Sequence, residues 1–201
     1  MALLFTSALL VLSVALAPSV SPLTDKPPAE LAGGISSRMV PAAKVVAGAA
    51  TLDLWLVDKL ESAGGPGWSG VDSGTLVGAL RVSGEFKEIR GKVVKPGVYT
   101  LRYGQQPQNG DHLGISMFRE FLLLSPAAID TDPKVLGFDG VVALSKEVIG
   151  TAHPASLSLD PPEDAAGAVL STYKNELGHE GVVLQIGPLK FGLIVSGLIV
   201  H

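Results

Sequence analysis

The sequence predicts an all-β fold: an antiparallel β-sandwich, jelly-roll-like, forming a single domain after an N-terminal signal segment. Three observations lead there. Short apolar stretches recur between turn-forming residues, and the 201-residue chain holds 24 Gly and 14 Pro to make those turns. Several of the stretches alternate apolar and polar side chains with the period of two that places one strand face in a core. No long stretch repeats with the 3.6-residue period of an amphipathic helix, so the strand-helix-strand alternation of a parallel α/β fold is absent. A chain of this length can bury a sizeable core without disulfides or metals.

Residues 2–17 carry no charged side chain and are dominated by Leu, Val and Ala. This stretch is shorter than the roughly 20 residues a helix needs to cross a bilayer. Its length is that of a signal-peptide hydrophobic region. Ala15, Leu16 and Ala17 fit the small-x-small cleavage pattern, and Ala17 with Ser19 offers an alternative cut before Val20. Residues 1–19 are therefore expected to be a signal peptide or, if retained, an envelope anchor. Residues 20–42 read as a linker and irregular region, rich at first in Pro and Ser. The β-domain is expected over residues 43–201.

Within that domain, residues 44–50 form a weak apolar run. Residues 51–57 alternate Leu52, Leu54 and Leu56 with Asp53, Trp55 and Val57, as a strand or the start of a short helix. Residues 62–74 read as a flexible loop, with five glycines and Pro66. Residues 75–82 read as a strand, and Ser83-Gly84 can turn it into residues 85–89.

The chain is organised around residues 93–127. Pro96-Gly97 is turn chemistry. In residues 98–103, Tyr99, Leu101 and Tyr103 share one face, while Val98, Thr100 and Arg102 share the other. That is the pattern of a strand with one well-buried face. Residues 121–124 are continuously apolar, as in a strand covered on both sides. Between these runs lie residues 104–118, a long loop carrying Gln105, Gln106, Gln108, Asn109, Asp111 and His112. Loops of this length in compact domains are functional or disordered. Residues 135–146 mix apolar residues with Gly137 and Gly140, residues 155–159 alternate again, and residues 165–173 fit either helix or strand. Residues 182–186 and 191–200 are the last two strands, joined around Gly187-Pro188; the second is too short and too punctuated by Gly192 and Gly197 to span a membrane.

Composition excludes several function classes. The charged fraction is 17% and the net charge −4, without a lysine or arginine cluster. A nucleic-acid binder wants a basic stripe, and a membrane-surface protein a polybasic patch. Contact with a membrane is expected only through the N-terminal segment, if that is retained. The chain holds no cysteine. A disulfide framework, a thiolate zinc site and a cysteine nucleophile are therefore excluded.

The run Gly91-Lys92-Val93-Val94-Lys95-Pro96-Gly97-Val98-Tyr99-Thr100-Leu101 gives the pattern G-K-x-x-x-P-G-x-Y-x-L. It resembles that of uncharacterised bacterial secreted or periplasmic β-sandwich proteins. The likeness continues to Leu124 and, weakly, to residues 151–159. The resemblance implies an exported sandwich and carries no catalytic residues.

Motifs for chemistry are sparse. Residues 65–70, Gly-Pro-Gly-Trp-Ser-Gly, formally match G-x-G-x-x-G. Pro66 sits inside the motif and no strand-to-helix context surrounds it, so a flexible loop is the better reading. Trp68 is then the aromatic expected to be exposed, whereas Tyr99 and Tyr103 share a face with Leu101 and are expected in the core. Three loop histidines, His112, His153 and His179, could converge with Asp111 on zinc or another divalent ion. Each could equally be an ordinary loop residue. Asp130 and Asp132 do not continue into an EF-hand pattern, because Lys134 occupies the next alternating position; an Asx-turn before Pro133 explains them better. No residue marks an activated nucleophile.

These readings give an exported, non-catalytic module without a cofactor, periplasmic or secreted, that binds a protein partner or serves an envelope assembly as an accessory subunit. Its partner-binding residues are Gln105, Gln106, Gln108, Asn109, Asp111 and His112. The alternative is a metal-binding protein or metal-dependent enzyme that uses the same loop.

Overall fold

The computed structural model describes residues 17–106, 119–161 and 164–197. The chain forms β1 (Ser19–Pro22), a single helical turn α1 (Gly33–Ser36), β2 (Met39–Ala47), β3 (Ala50–Val57), β4 (Leu76–Ser83), β5 (Phe86–Lys87), β6 (Val93–Val94) and β7 (Gly97–Gln105). It continues with β8 (Glu120–Pro126), α2 (Phe138–Ile149), β9 (Ser156–Asp160), β10 (Thr172–Lys174), β11 (Glu180–Ile186) and β12 (Leu189–Ser196). The fold is all-β and antiparallel, in one domain, as the alternating stretches predict. Ten strands join in a continuous sheet in the order β1-β2-β3-β4-β7-β8-β9-β12-β11-β10. The sheet curls until β11 approaches β2, so the whole resembles a nearly closed barrel. β5 and β6 form a separate two-stranded ribbon.

The core lies inside the curl. Leu52, Leu54, Leu80, Leu101, Leu122, Leu157, Val182 and Leu193 come from strands all around the sheet and belong to one apolar cluster. Each such side chain contributes on the order of 1.5–3 kcal/mol by leaving water. Alternation sends their neighbours to the outside of the sheet, yet much of the outside is buried too. The second face of residues 98–103, opposite the one expected to be well buried, is an example: Thr100 and Arg102 are fully buried.

Three local expectations change. The region read as a linker includes β1, which pairs with β2 from Ser19↔Val46 to Pro22↔Ala43. Leu23, Leu31 and Ile35 follow it into the core cluster, and Asp25 accepts a 2.8 Å hydrogen bond from Trp55 Nε1 through its backbone oxygen. Residues 135–146, read as mixed, contain most of α2. Its buried positions, Val141, Ser145 and Val148, are spaced as one helix face. Ser145 hides the pattern, because its hydroxyl turns inward and donates to the Ala155 backbone oxygen at 2.8 Å. Gly150 ends the helix in the left-handed conformation that favours glycine. Val141 packs with Phe121 and Leu123 in a second apolar cluster, so α2 covers the outer face of β8. The ambiguous residues 165–173 are not helical; they lead through turns into β10.

Candidate functional site

The β7–β8 pair runs in register from Tyr99↔Pro126 to Gln105↔Glu120. Directly opposed antiparallel residues share a face, so Tyr103, Gln105, Leu122 and Glu120 line one side of the ladder. Gln105 Nε2 meets the Tyr103 hydroxyl at 3.4 Å, and the Glu120 carboxyl lies against the same hydroxyl. The Gln106 N–H donates to Arg119 O at 2.8 Å and continues the ladder one step beyond the strands. Burial pushes the Tyr103 phenol well above its ordinary range, with the Glu120 charge adding to the effect. Burial also raises the Glu120 carboxyl, against the opposing pull of Arg119 and of the Tyr103 hydroxyl.

Trp68 closes this end of the barrel from within. Its ring stacks on Tyr103 at 4.9 Å with an interplanar angle of 6°, and meets Phe191 edge-on at 5.2 Å and 67°. This corrects the expectation of an exposed Trp68 in a flexible glycine loop: only 5% of the residue is accessible. Glycine-rich sequence gave the loop room to fold inward, and an indole gains more by stacking in the core than by standing in water. Tyr99 and Tyr103 are buried, as their shared face with Leu101 predicts.

Two of the polar clusters on the outer side of the sheet gather connections between strands. In the first, the Arg102 guanidinium donates through Nε and Nη2 to the two Asp130 oxygens, each at 2.7 Å. Nη1 donates to the backbone oxygens of Gly74 and Lys134, both at 2.8 Å, and Nη2 also to that of Asp132. All five guanidinium N–H donors therefore have partners. The Thr100 hydroxyl donates to Asp130 as well. Gly74 has φ +96°, and a Cβ there would fall 1.4 Å from Leu136 O, so no other residue fits. The Lys134 N–H donates to Asp132 Oδ1 at 3.0 Å, the Asx-turn expected before Pro133.

The second cluster lies where β9 ends. Asn175 Nδ2 donates to both Asp160 oxygens, at 3.1 and 3.2 Å. Asn175 Oδ1 accepts the backbone N–H groups of Leu177 and His179, at 3.1 and 2.9 Å, and shapes the turn between β10 and β11. The Tyr173 ring crosses Gly181 and Gly192: a Cβ on either glycine would fall 2.3 Å from its hydroxyl oxygen. That hydroxyl is turned toward Asp160 but is buried without a partner in hydrogen-bond geometry. Burial pushes the Asp160 carboxyl above its ordinary range; Tyr173, Asn175 and His179 oppose the shift and Asp164 reinforces it. Burial, then Asp160, push the Tyr173 phenol upward.

The residues singled out for function fall in different places. Gln105 and Gln106 are half-buried at the ends of the β7–β8 ladder. Gln108, Asn109, Asp111 and His112 lie outside the described residues. His153 is exposed after α2, and its backbone oxygen accepts the Thr151 hydroxyl at 2.9 Å. His179 is buried, with Nδ1 3.5 Å from Asn175 Nδ2 and its ring against Gly197. Among the described residues, no group of three or more His, Asp or Glu is placed to hold a metal ion.

Sequence reasoning passed over Glu120, Asp160, Tyr173 and Asn175. The signal for Glu120 is its position just before an apolar run, opposite Gln105. For the other three the partners are separated along the chain and only the sheet brings them together. Comparison with family models, curated proteins and solved structures finds no match to this chain.

Proposed function

We propose that the chain is an exported, non-catalytic binding module, periplasmic or secreted, that joins an envelope assembly as an accessory subunit. The β7–β8 end of the barrel is the face it offers to a protein partner. One observation carries this reading. β7 and β8 are buried on both faces through Tyr103 and Leu122, then give way at their ends to the half-buried amides and carboxyl of Gln105, Gln106 and Glu120. A rigid, doubly covered base that ends in hydrogen-bonding groups can present those groups to a partner in a fixed arrangement. The uncharged residues 2–17 and the resemblance to exported β-sandwich proteins support the compartment.

The test has two arms. Mass spectrometry of the protein from its native host should show loss of roughly the first 17 to 21 residues, the span of the cleavage pattern; an intact Met1 in the cytosol would overturn export. Cross-linking in the intact envelope should then give a defined partner with the wild type. Gln105→Ala with Gln106→Ala should weaken that cross-link without lowering the melting temperature. An unchanged cross-link in a folded double variant would move the binding face elsewhere.

A further inference from the structure

We infer that maturation of the exported chain cuts upstream of the folded domain, at the Ala15–Leu16 or the Ala17–Pro18 bond, and spares Pro18 and all of β1. The inference rests on the export reading and goes beyond it by assigning the processing site. The small-x-small pattern of a signal-peptide cut occurs at four overlapping places. Ser13-Val14-Ala15 directs a cut before Leu16, and Ala15-Leu16-Ala17 a cut before Pro18. Ala17-Pro18-Ser19 directs a cut before Val20, and Ser19-Val20-Ser21 a cut before Pro22. Local pattern does not separate these four bonds. The place where the domain begins does.

Ala17 is exposed, and Pro18 after it is already buried. β1 follows at once, with Ser19 opposite Val46, Val20 opposite Val45, Ser21 opposite Lys44 and Pro22 opposite Ala43. β1 stands first in the sheet order, so β2 is its one ladder partner. Val20 packs against the main apolar cluster, and Leu23, directly after the strand, is a buried member of that cluster. A cut before Val20 discards the buried Pro18 and the Ser19 pairing. A cut before Pro22 also discards the pairings of Val20 and Ser21 and leaves β1 with Pro22 alone. Either loss bares part of the β2 ladder, whose backbone groups then need other partners. Cuts before Leu16 or Pro18 remove nothing from Pro18 onward. Cleavage acts on an extended segment, so the fold does not steer the enzyme; it identifies the residues that the mature chain has to keep. The step is hydrolysis by a membrane signal peptidase. Water adds across the peptide bond, leaving a carboxylate on Ala15 or Ala17 of the released segment and an amine on Leu16 or Pro18.

Mapping the N-terminus of the protein purified from its native host tests this, by intact mass and by sequencing the first residues. The mature chain should begin at Leu16 or Pro18. Ser19→Leu sharpens the result. Both downstream patterns use Ser19 as a small residue, the upstream two do not, and its side chain is exposed on β1. The variant should be processed to the same N-terminus and to the same extent as the wild type. A mature chain that begins at Val20 or Pro22, or an uncut precursor that accumulates in Ser19→Leu, would overturn the inference while export stands. An uncut wild-type chain in the envelope would overturn it in favour of an anchor. An uncut wild-type chain in the cytosol would overturn the export reading together with it.

Discussion

Asp130 and Asp160 do the same mechanical work with opposite chemistry. Each is a buried carboxylate on the outer side of the sheet, and each fastens a connection that the backbone ladder alone would leave loose. Asp130 receives both arms of Arg102 and the Thr100 hydroxyl, and the remaining Arg102 donors gather the backbone of residues 74, 132 and 134. Asp160 receives a carboxamide and faces a phenol and an acidic neighbour. The difference shows that burial by itself says little about what a carboxylate does. A full counter-charge with every donor placed makes a fixed clasp. Neutral partners make a clasp whose strength depends on protonation.

The comparison breaks most visibly at Arg102. Arg102→Met should cost about 3–5 kcal/mol, because it strands the Asp130 charge in the interior and takes a donor from three backbone oxygens. Denaturant unfolding reads this directly; a midpoint near that of the wild type would mean that Asp130 finds water or another partner. A middle-sized effect is expected at the other clasp from Gly192→Ala. The added methyl meets the Tyr173 hydroxyl at 2.3 Å and Ala165 Cβ at 2.8 Å, so β10 must shift. Overpacking of this kind costs about 1–3 kcal/mol. Exchange protection should fall in β10 and remain in β7; a loss spread evenly over the sheet would deny β10 its separate character.

The smallest effect is a slope. Burial raises the folded-state Asp160 carboxyl above its unfolded value. The folded state therefore binds that proton more tightly, and stability from this group is present at low pH and lost as pH rises through the folded titration. Asp160→Asn removes the titration. Its unfolding free energy relative to the wild type should grow as pH rises from about 4 to about 7, with other groups contributing alike to both proteins. A difference that shrinks over that range would place Asp160 among the carboxylates stabilised by their surroundings.

Much of this was legible from the sequence, and the limits have local causes. Leu52-Leu54-Leu56 and Tyr99-Leu101-Tyr103 announced strands because a period of two has no other good explanation in a compact domain. α2 stayed hidden because Ser145 occupies a buried position and two glycines lie in or beside the run; one inward hydroxyl bonded to Ala155 O was enough to erase the periodicity. Trp68 was misplaced because a glycine-rich segment looks mobile until a partner surface exists for it. The burial of the Thr100 and Arg102 face was not legible because hydrophobic pattern cannot see an incoming carboxylate from residue 130.

Sequence alone determined the all-β class and the position of the central β7 and β8 strands, since alternation and turn residues are local properties of the chain. Tertiary structure decided which strands are neighbours, how the curled sheet sets β11 near β2, and which polar residues meet. Arg102 with Asp130, and Asp160 with Asn175, are pairs made by strand order and by connections folded across the sheet. Their physical basis is long-range: a buried charge accepts whatever donor the fold delivers, and the delivery is a property of topology rather than of spacing along the chain.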